Sequence, residues 1–409
     1  MIVPRRVLAL LGVGLVATAC TDVQQPVVRD VRTFGDVTTD GASTLSRALD
    51  EASREGFAVE VPLGVVVRLK RTVSVPSDVD LMGAGSIVAA ADVGQLLMCV
   101  GERISISGLT LRAGKFRVRA LVAVQGSATT VSVNRVTASG ASTGVVVRSG
   151  SSDFLLTDST FAGQSSCVQV RGAVEDVRIE TCEFRQWRDR AVWVVGSQSE
   201  APRRIVVDDC NFGAAAQTGK VRQAIQINGH DDRLLENIEV TNNRVKGRGS
   251  SYDDPKRPGG ADLISLHRCR QFVVKGNVVE DGGDVGITVS QQSRDGVVEG
   301  NTCRRNDSVG ICIGSRSSKF TRNISVINNV CEDNGQDRLG DGRPWAKAGI
   351  LVANSDAIDL RRNILRDTGA KKQRNAISVV RSDVTLRGNS AHSPMRAVLA
   401  DENSVVSQS

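Results

Sequence analysis

The sequence predicts an all-β fold, a right-handed single-stranded parallel β-helix of about 11–13 coils with a short N-terminal capping helix. Three observations predict it. A unit of alternating apolar residues ending in Asn recurs, as in Ile238-Glu-Val240-Thr-Asn-Asn243 and Phe272-Val-Val274-Lys-Gly-Asn277. A second apolar quartet alternates with it, as in Ala224-Ile-Gln-Ile227, Leu263-Ile-Ser-Leu266 and Gly286-Ile-Thr-Val289. Finally, only 3% of the 409 residues are aromatic while 40 are glycine, which suits short strands and tight turns better than helices.

Residues 1–19 read as a signal peptide. Arg5 and Arg6 supply its positive start, and the apolar run from Val7 to Val16 is too short to span a membrane as a mature helix. Ala17-Thr-Ala-Cys20 resembles a lipobox, which implies lipidation of Cys20; cleavage after Ala19 without lipidation is the rival reading. Residues 20–30 then form a linker and 31–409 the β-helix domain. The expected location is extracytoplasmic, in a bacterial cell envelope, with the chain anchored to the membrane through Cys20.

The cap occupies about residues 31–58. Leu45, Ala48, Leu49 and Ala52 recur at helical spacing, with Asp40 or Ser43 as N-cap. Val59-Glu-Val61-Pro-Leu-Gly64 and Val79-Asp-Leu81-Met-Gly-Ala-Gly85 follow. Together with Phe34-Gly35 and Asp40-Gly41, this stretch resembles the N-terminal region of pectate-lyase-like β-helix proteins, the group that includes family 28 glycoside hydrolases and several phage tailspikes. The resemblance covers about residues 31–86, and the coils extend it loosely to the end. It implies a helix covering the first coil. It leaves the chemistry open, because that fold hosts lyases, hydrolases, epimerases and binding proteins. The polygalacturonase motifs Asn-Thr-Asp, Gly-His-Gly and Arg-Ile-Lys are absent, as is the Asp-Pro-His-Asp of alginate epimerases, of which Asn228-Gly-His230-Asp-Asp232 is a partial echo.

In the coils, Asn243, Asn277, Asn301, Asn329, Asn363 and Asn389 hold equivalent places. Amides stacked at ~4.8 Å can hydrogen-bond along the column, so a buried ladder is expected. Earlier coils carry Ser159, Cys182 and Cys210 there. Cys182/Cys210 and Cys303/Cys331 stack as neighbours, either as disulfides or, the favoured reading, as buried thiols filling small positions. In each quartet the second and fourth residues face inward and the third faces out.

The net charge of +7 suits an anionic ligand. An acidic polysaccharide is favoured over nucleic acid, for which no platform of interleaved aromatic and basic residues is present. Outward polar residues converge on neighbouring coils in mid-chain. Asp262, His267, Asp284, His230 and Arg268 are the catalytic candidates. Trp193, Arg190, Arg222, Gln223, Gln226, Asn228 and Tyr252 are the substrate-binding candidates, Tyr252 lying in the long insertion 247–260. Glycoside hydrolysis needs two carboxylates, and Asp262 with Asp284 is the natural pair. Elimination or epimerisation of a uronate needs a base such as His267 and a cation such as Arg268. Further along, outward positions turn small or apolar, at Cys312, Gly314, Leu351 and Ala353. No metal is expected by motif, although Asp231, Asp232, Asp253 and Asp254 are hard oxygen donors that could take Ca²⁺. A polysaccharide lyase, epimerase or glycoside hydrolase is therefore the leading expectation, and a non-catalytic surface solenoid that binds glycan is the alternative.

Overall fold

The computed structural model describes residues 27–213, 223–247, 262–315, 320–335, 347–369, 373–392 and 395–408. Cys20, Arg222, Tyr252, Asp253 and Asp254 lie outside the described residues.

Three parallel sheets run the length of the molecule, one of fifteen strands and two of thirteen, and after the first strand, which pairs with the second, each strand pairs with the one three places on in the chain. This is a right-handed parallel β-helix. One coil illustrates the rest. A first-sheet strand, Leu235–Thr241, leads to a short second-sheet strand, Arg244–Lys246, and then to a third-sheet strand, Ile264–His267. Cys269–Lys275 begins the next coil. The bend from the third sheet to the first is a single residue, Arg268, at φ 56. The bend from the second sheet to the third varies: it spans 247–263 in this coil and 281–286 in the next. The bend from the third sheet to the first varies too, spanning 196–202 and 229–234 in the two coils before, so the uneven repeat length comes from both corners.

The helix Gly41–Glu55 is N-capped by Asp40, whose carboxylate accepts from Ala42 N at 3.1 Å, and it ends at left-handed Gly56. Leu45, Ala48, Leu49 and Ala52 are fully buried, so its apolar face covers the first coil, which would otherwise expose unpaired strands.

The asparagine ladder forms at the bend between the first and second sheets. Asn243 Nδ2 donates to Asn277 Oδ1 at 3.0 Å, Asn277 to Asn301 at 2.9 Å, Asn301 to Asn329 at 2.9 Å, Asn329 to Asn363 at 3.0 Å and Asn363 to Asn389 at 2.8 Å. Each Nδ2 also reaches a backbone carbonyl of the preceding coil, as Asn301 does to Val274 O at 2.9 Å. A left-handed residue precedes each bend, Gly276 at φ 68 and Gly300 at φ 62 among them, where glycine adopts the turn without steric cost. A second ladder, unanticipated from the sequence, runs Asn306–Asn334–Gln373 at 2.9 and 3.2 Å.

Cys182, Cys210, Cys303 and Cys331 do stack in their columns, and all are buried free thiols. Cys182 N donates to Cys210 Sγ at 3.5 Å, so sulfur here takes the place that the amide takes in later coils.

Candidate active site

The outer face of the third sheet carries the candidate residues in two columns. In one, Trp193, Gln226, Ser265 and Thr288 are successive register partners. In the other, at the strand ends, Asn228, His267 and Ser290 align, followed by Gly314, Ala353 and Val380 as the coils continue. The third residue of each quartet does point outward. Ser265 and Thr288 are nonetheless buried, so this part of the face is covered.

A cavity of about 820 Å³ opens over this face. Asp262, His267, Thr288, Ser290 and Gln291 form its polar end, and Cys312, Gly314, Leu351, Ala353 and Val380 its apolar end, with Asn354 and exposed Arg381 further along. The strands position these groups directly. Asp262 stands just before Leu263 at the corner between the second and third sheets, Asp284 lies one coil on and one residue earlier in register, next to Val285, and His267 closes its strand at the opposite edge.

Burial and the negative charge of Asp284 push the Asp262 carboxyl up to about 8, against smaller opposing contributions from Thr288 and the Val285 backbone. The Thr288 hydroxyl approaches Asp262 closely enough to favour its ionised form, yet it finds no well-aligned hydrogen-bond partner. Asp262 therefore holds a proton at neutral pH beside a second carboxylate. His267 moves the other way. Burial, with help from the Arg268 charge, lowers it to about 4, so its imidazole is neutral at pH 7. Its Nδ1 lies 2.7 Å from Ser290 Oγ.

The other candidates lie outside this cavity. Arg268 is engaged at the bend: its Nε donates to Asp231 and its Nη1 to Asn228 Oδ1 at 3.0 Å. His230 sits past the strand end, half-exposed, with Nδ1 3.5 Å from Asp232 Oδ2. Gln223 is buried and donates to Ser265 Oγ at 3.0 Å, which makes it a support beneath the face. Arg190 pairs with Asp189 at 2.6 Å, donates to Gln226, and lies 4.6 Å from the centroid of the Trp193 ring, so one face of that ring is already covered. Trp193 and Gln226 occupy the two coils before Asp262, forming an approach to the cavity rather than its lining. Of the oxygen donors named for Ca²⁺, Asp231 is held by Arg268, and Asp253 and Asp254 lie outside the described residues.

The expectation centred the site on Trp193 to Asp284. The enclosed volume instead runs from Asp262 toward the C-terminus, because the small and apolar outward residues leave space that longer side chains fill on earlier coils. Val380 and Arg381 were not anticipated. Their signal was the register itself, since Val380 continues the column of His267 and Ser290.

The family model for the right-handed β-helix region matches residues 104–335. No curated protein sequence matches the chain. Among solved structures, the catalytic unit of a thermostable GH87 α-1,3-glucanase from Streptomyces thermodiastaticus aligns with a TM-score of 0.62 at 13% identity, covering 92% of this chain and 70% of that one. The tailspike gp49 from Pseudomonas phage LKA1 aligns at 0.63 with 10% identity, over 88% and 76% of the two chains. A point variant of the periplasmic alginate epimerase AlgG aligns at 0.50 with 10% identity, over 88% of each. At these identities the likeness is one of fold.

Proposed function

The chain belongs to the right-handed β-helix family, and on that premise we propose that it cleaves a polysaccharide by glycoside hydrolysis. One observation carries the reading: Asp262 lines the cavity with its carboxyl pushed up by burial and by the negative charge of neighbouring Asp284. Asp262, protonated at neutral pH, gives its proton to the departing glycosidic oxygen. Asp284, the neighbouring carboxyl group, activates the attacking water or stabilises the positive charge that develops on the sugar. His267, neutral and held by Ser290, orients a sugar hydroxyl or the water. The likeness in fold to a glucanase and to an alginate epimerase supports a polysaccharide as the substrate class.

Neutral His267 also meets the need of a lyase or epimerase for a base. That chemistry further requires a cation on the uronate carboxylate. Of the cations expected for it, Arg268 and Arg190 are committed to protein carboxylates and Arg222 lies outside the described residues, which leaves Arg381 at the far end of the cavity as the cation for that reading. The place of action we propose is the cell envelope, through the Cys20 anchor.

A panel of neutral and uronate polysaccharides separates the readings. New reducing ends without absorbance at the unsaturated-uronide band, lost in Asp262→Asn, are expected. Absorbance in that band would replace hydrolysis with elimination, and binding without turnover would leave a glycan-binding solenoid.

A further inference from the structure

Before Trp193, the outer face of the third sheet carries a group of arginines that form no ion pair among the described residues. Arg148 and Arg171 are register partners at the ends of Thr143–Arg148 and Ser166–Arg171. They continue, toward the N-terminus, the column that holds Asn228, His267 and Ser290. Arg119, on the preceding strand, is near enough to repel Arg148. Ala120, Ala123 and Val146 form a small apolar patch here, separate from the interior. Arg148 stands two residues beyond Val146, on the same face.

Many arginines among the described residues are paired, such as Arg103 with Asp78, Arg204 with Asp176 and Arg305 with Asp281. Among the described residues, no ion pair or side-chain hydrogen bond engages Arg119, Arg148 or Arg171, and the Arg148 Nε is buried without a partner. Burial and the two neighbouring arginines lower the Arg148 pKa, which means that its charge is poorly compensated by protein or water. Three like charges held together around an unsatisfied donor disfavour the empty state, and an anion relieves it. Guanidinium forks suit planar carboxylates and sulfates, to which they donate two hydrogen bonds at once.

Position identifies the ligand. Arg171 is three coils from His267 and Arg148 four, or ~14 and ~19 Å at the ~4.8 Å spacing of strands. Gln169, Trp193 and Gln226 line the floor between them as register partners. That is the span of a few sugar units along one face. We propose that Arg119, Arg148 and Arg171 form an anion-binding subsite for a carboxylate- or sulfate-bearing sugar of the same glycan whose neutral portion enters the Asp262 cavity. The identity of the ligand as a glycan rests on the polysaccharide reading above; the anion site itself does not.

The full chain is titrated calorimetrically with hexameric oligogalacturonate, with its fully methyl-esterified counterpart, and with a sulfated hexasaccharide. A charged hexamer should bind more tightly than the ester, and its affinity should fall with salt. Arg148→Gln/Arg171→Gln should weaken the charged hexamer by about tenfold, equivalent to the loss of about one charge-assisted contact. It should leave ester binding and the thermal midpoint unchanged. Asp262→Asn should keep the arginine-dependent binding. Equal affinity for charged and esterified hexamers, or no binding of either uronate or sulfate oligomers, overturns the subsite. Preferential binding of single-stranded DNA or phosphatidylglycerol vesicles over every acidic hexamer overturns it equally. The two proposals fail separately. Arginine-dependent binding with no glycan hydrolysed sinks hydrolysis alone, and hydrolysis of acidic glycans with an unchanged KM in the arginine variant sinks the subsite alone.

Discussion

His267 Nδ1 and Ser290 Oγ lie 2.7 Å apart on register-paired residues of adjacent coils, which fixes the imidazole at the mouth of the cavity. The ring is lowered from its ordinary 6.5 to about 4, first by burial and then by Arg268. A base with a depressed folded pKa binds fewer protons folded than unfolded between those values. Its stability contribution is therefore complete above pH 6.5 and lost as pH falls through 4. The thermal midpoint of the wild type should decline across that window, and that of His267→Gln should decline less. Parallel curves for the two proteins would show that the imidazole is not buried as described.

Asp262 has the opposite sign. Its folded pKa, about 8, is raised above the ordinary 3.8, so the contribution to stability is complete below 3.8 and lost as pH rises through 8. Asp262→Asn should then be at least as stable as wild type at pH 9, while its kcat falls by about 10²–10⁴ through loss of the acid. The wild-type rate should drop on the alkaline side near pH 8. An alkaline limb that persists unchanged in Asp262→Asn would assign it to another group.

Asn301 tests the first ladder. Its Oδ1 accepts from both Asn277 N and Asn277 Nδ2 at 2.9 Å, and its Nδ2 serves Val274 O and Asn329 Oδ1 at 2.9 Å. Leu at this place would orphan at least the Asn277 amide and the Val274 carbonyl, both buried, at about 1–3 kcal/mol each. Urea denaturation should show a loss of about 2–6 kcal/mol. A change below about 1 kcal/mol would mean that the column reorganises around the gap.

Cys20→Ser should move the protein from the membrane fraction to the soluble extracytoplasmic fraction, because one lost lipid group removes the anchor. An unchanged distribution would remove the lipoprotein proposal and leave the fold untouched.

The parts legible in the sequence were those that repeat. Asn277 and Asn301 announce their ladder because a stacked amide must recur once per coil, and the quartets announce the third sheet because strand alternation has a period of two. The Asn306–Asn334–Gln373 ladder was hidden because its members fall in a corner of variable length, where spacing carries no register and the last member is Gln. That Asp262 and Asp284 lie on adjacent coils could be read from the repeat, although the register sets Asp284 one residue out of step with Asp262. The roles of Arg268 and Arg190 could not, because whether a surface arginine waits for a ligand or is held by Asp231 or Asp189 depends on side-chain geometry rather than on spacing. The cavity was displaced toward Leu351 and Val380 for a related reason: an apolar outward position reads as an absence in the sequence, yet it creates space in the structure.

The hidden ladder also explains the glycines that open three quartets. None of Gly286, Gly310 and Gly349 has a left-handed φ, so conformational freedom is not what they supply. They supply space. A Cβ on Gly286 would stand 2.8 Å from Asn306 Nδ2, one on Gly310 2.9 Å from Asn334 Nδ2, and one on Gly349 2.9 Å from Gln373 Nε2. Gly310→Ala should therefore destabilise the fold by about 1–3 kcal/mol, as overpacking does. Trimming the amide should not rescue it, because the same Cβ would lie 2.7 Å from the Gly349 carbonyl, which is backbone and cannot withdraw. Asn334→Ala on its own removes the donor to Cys303 O at 3.0 Å and the acceptor of Asn306 N at 3.1 Å. The double variant should not recover the stability that Gly310→Ala loses in urea denaturation, even though sites in contact couple by about 0.5–3 kcal/mol. Recovery of stability in the double variant would show that the amide alone sets the glycine requirement. A neutral Gly310→Ala would show that the coils separate easily enough to admit a methyl group.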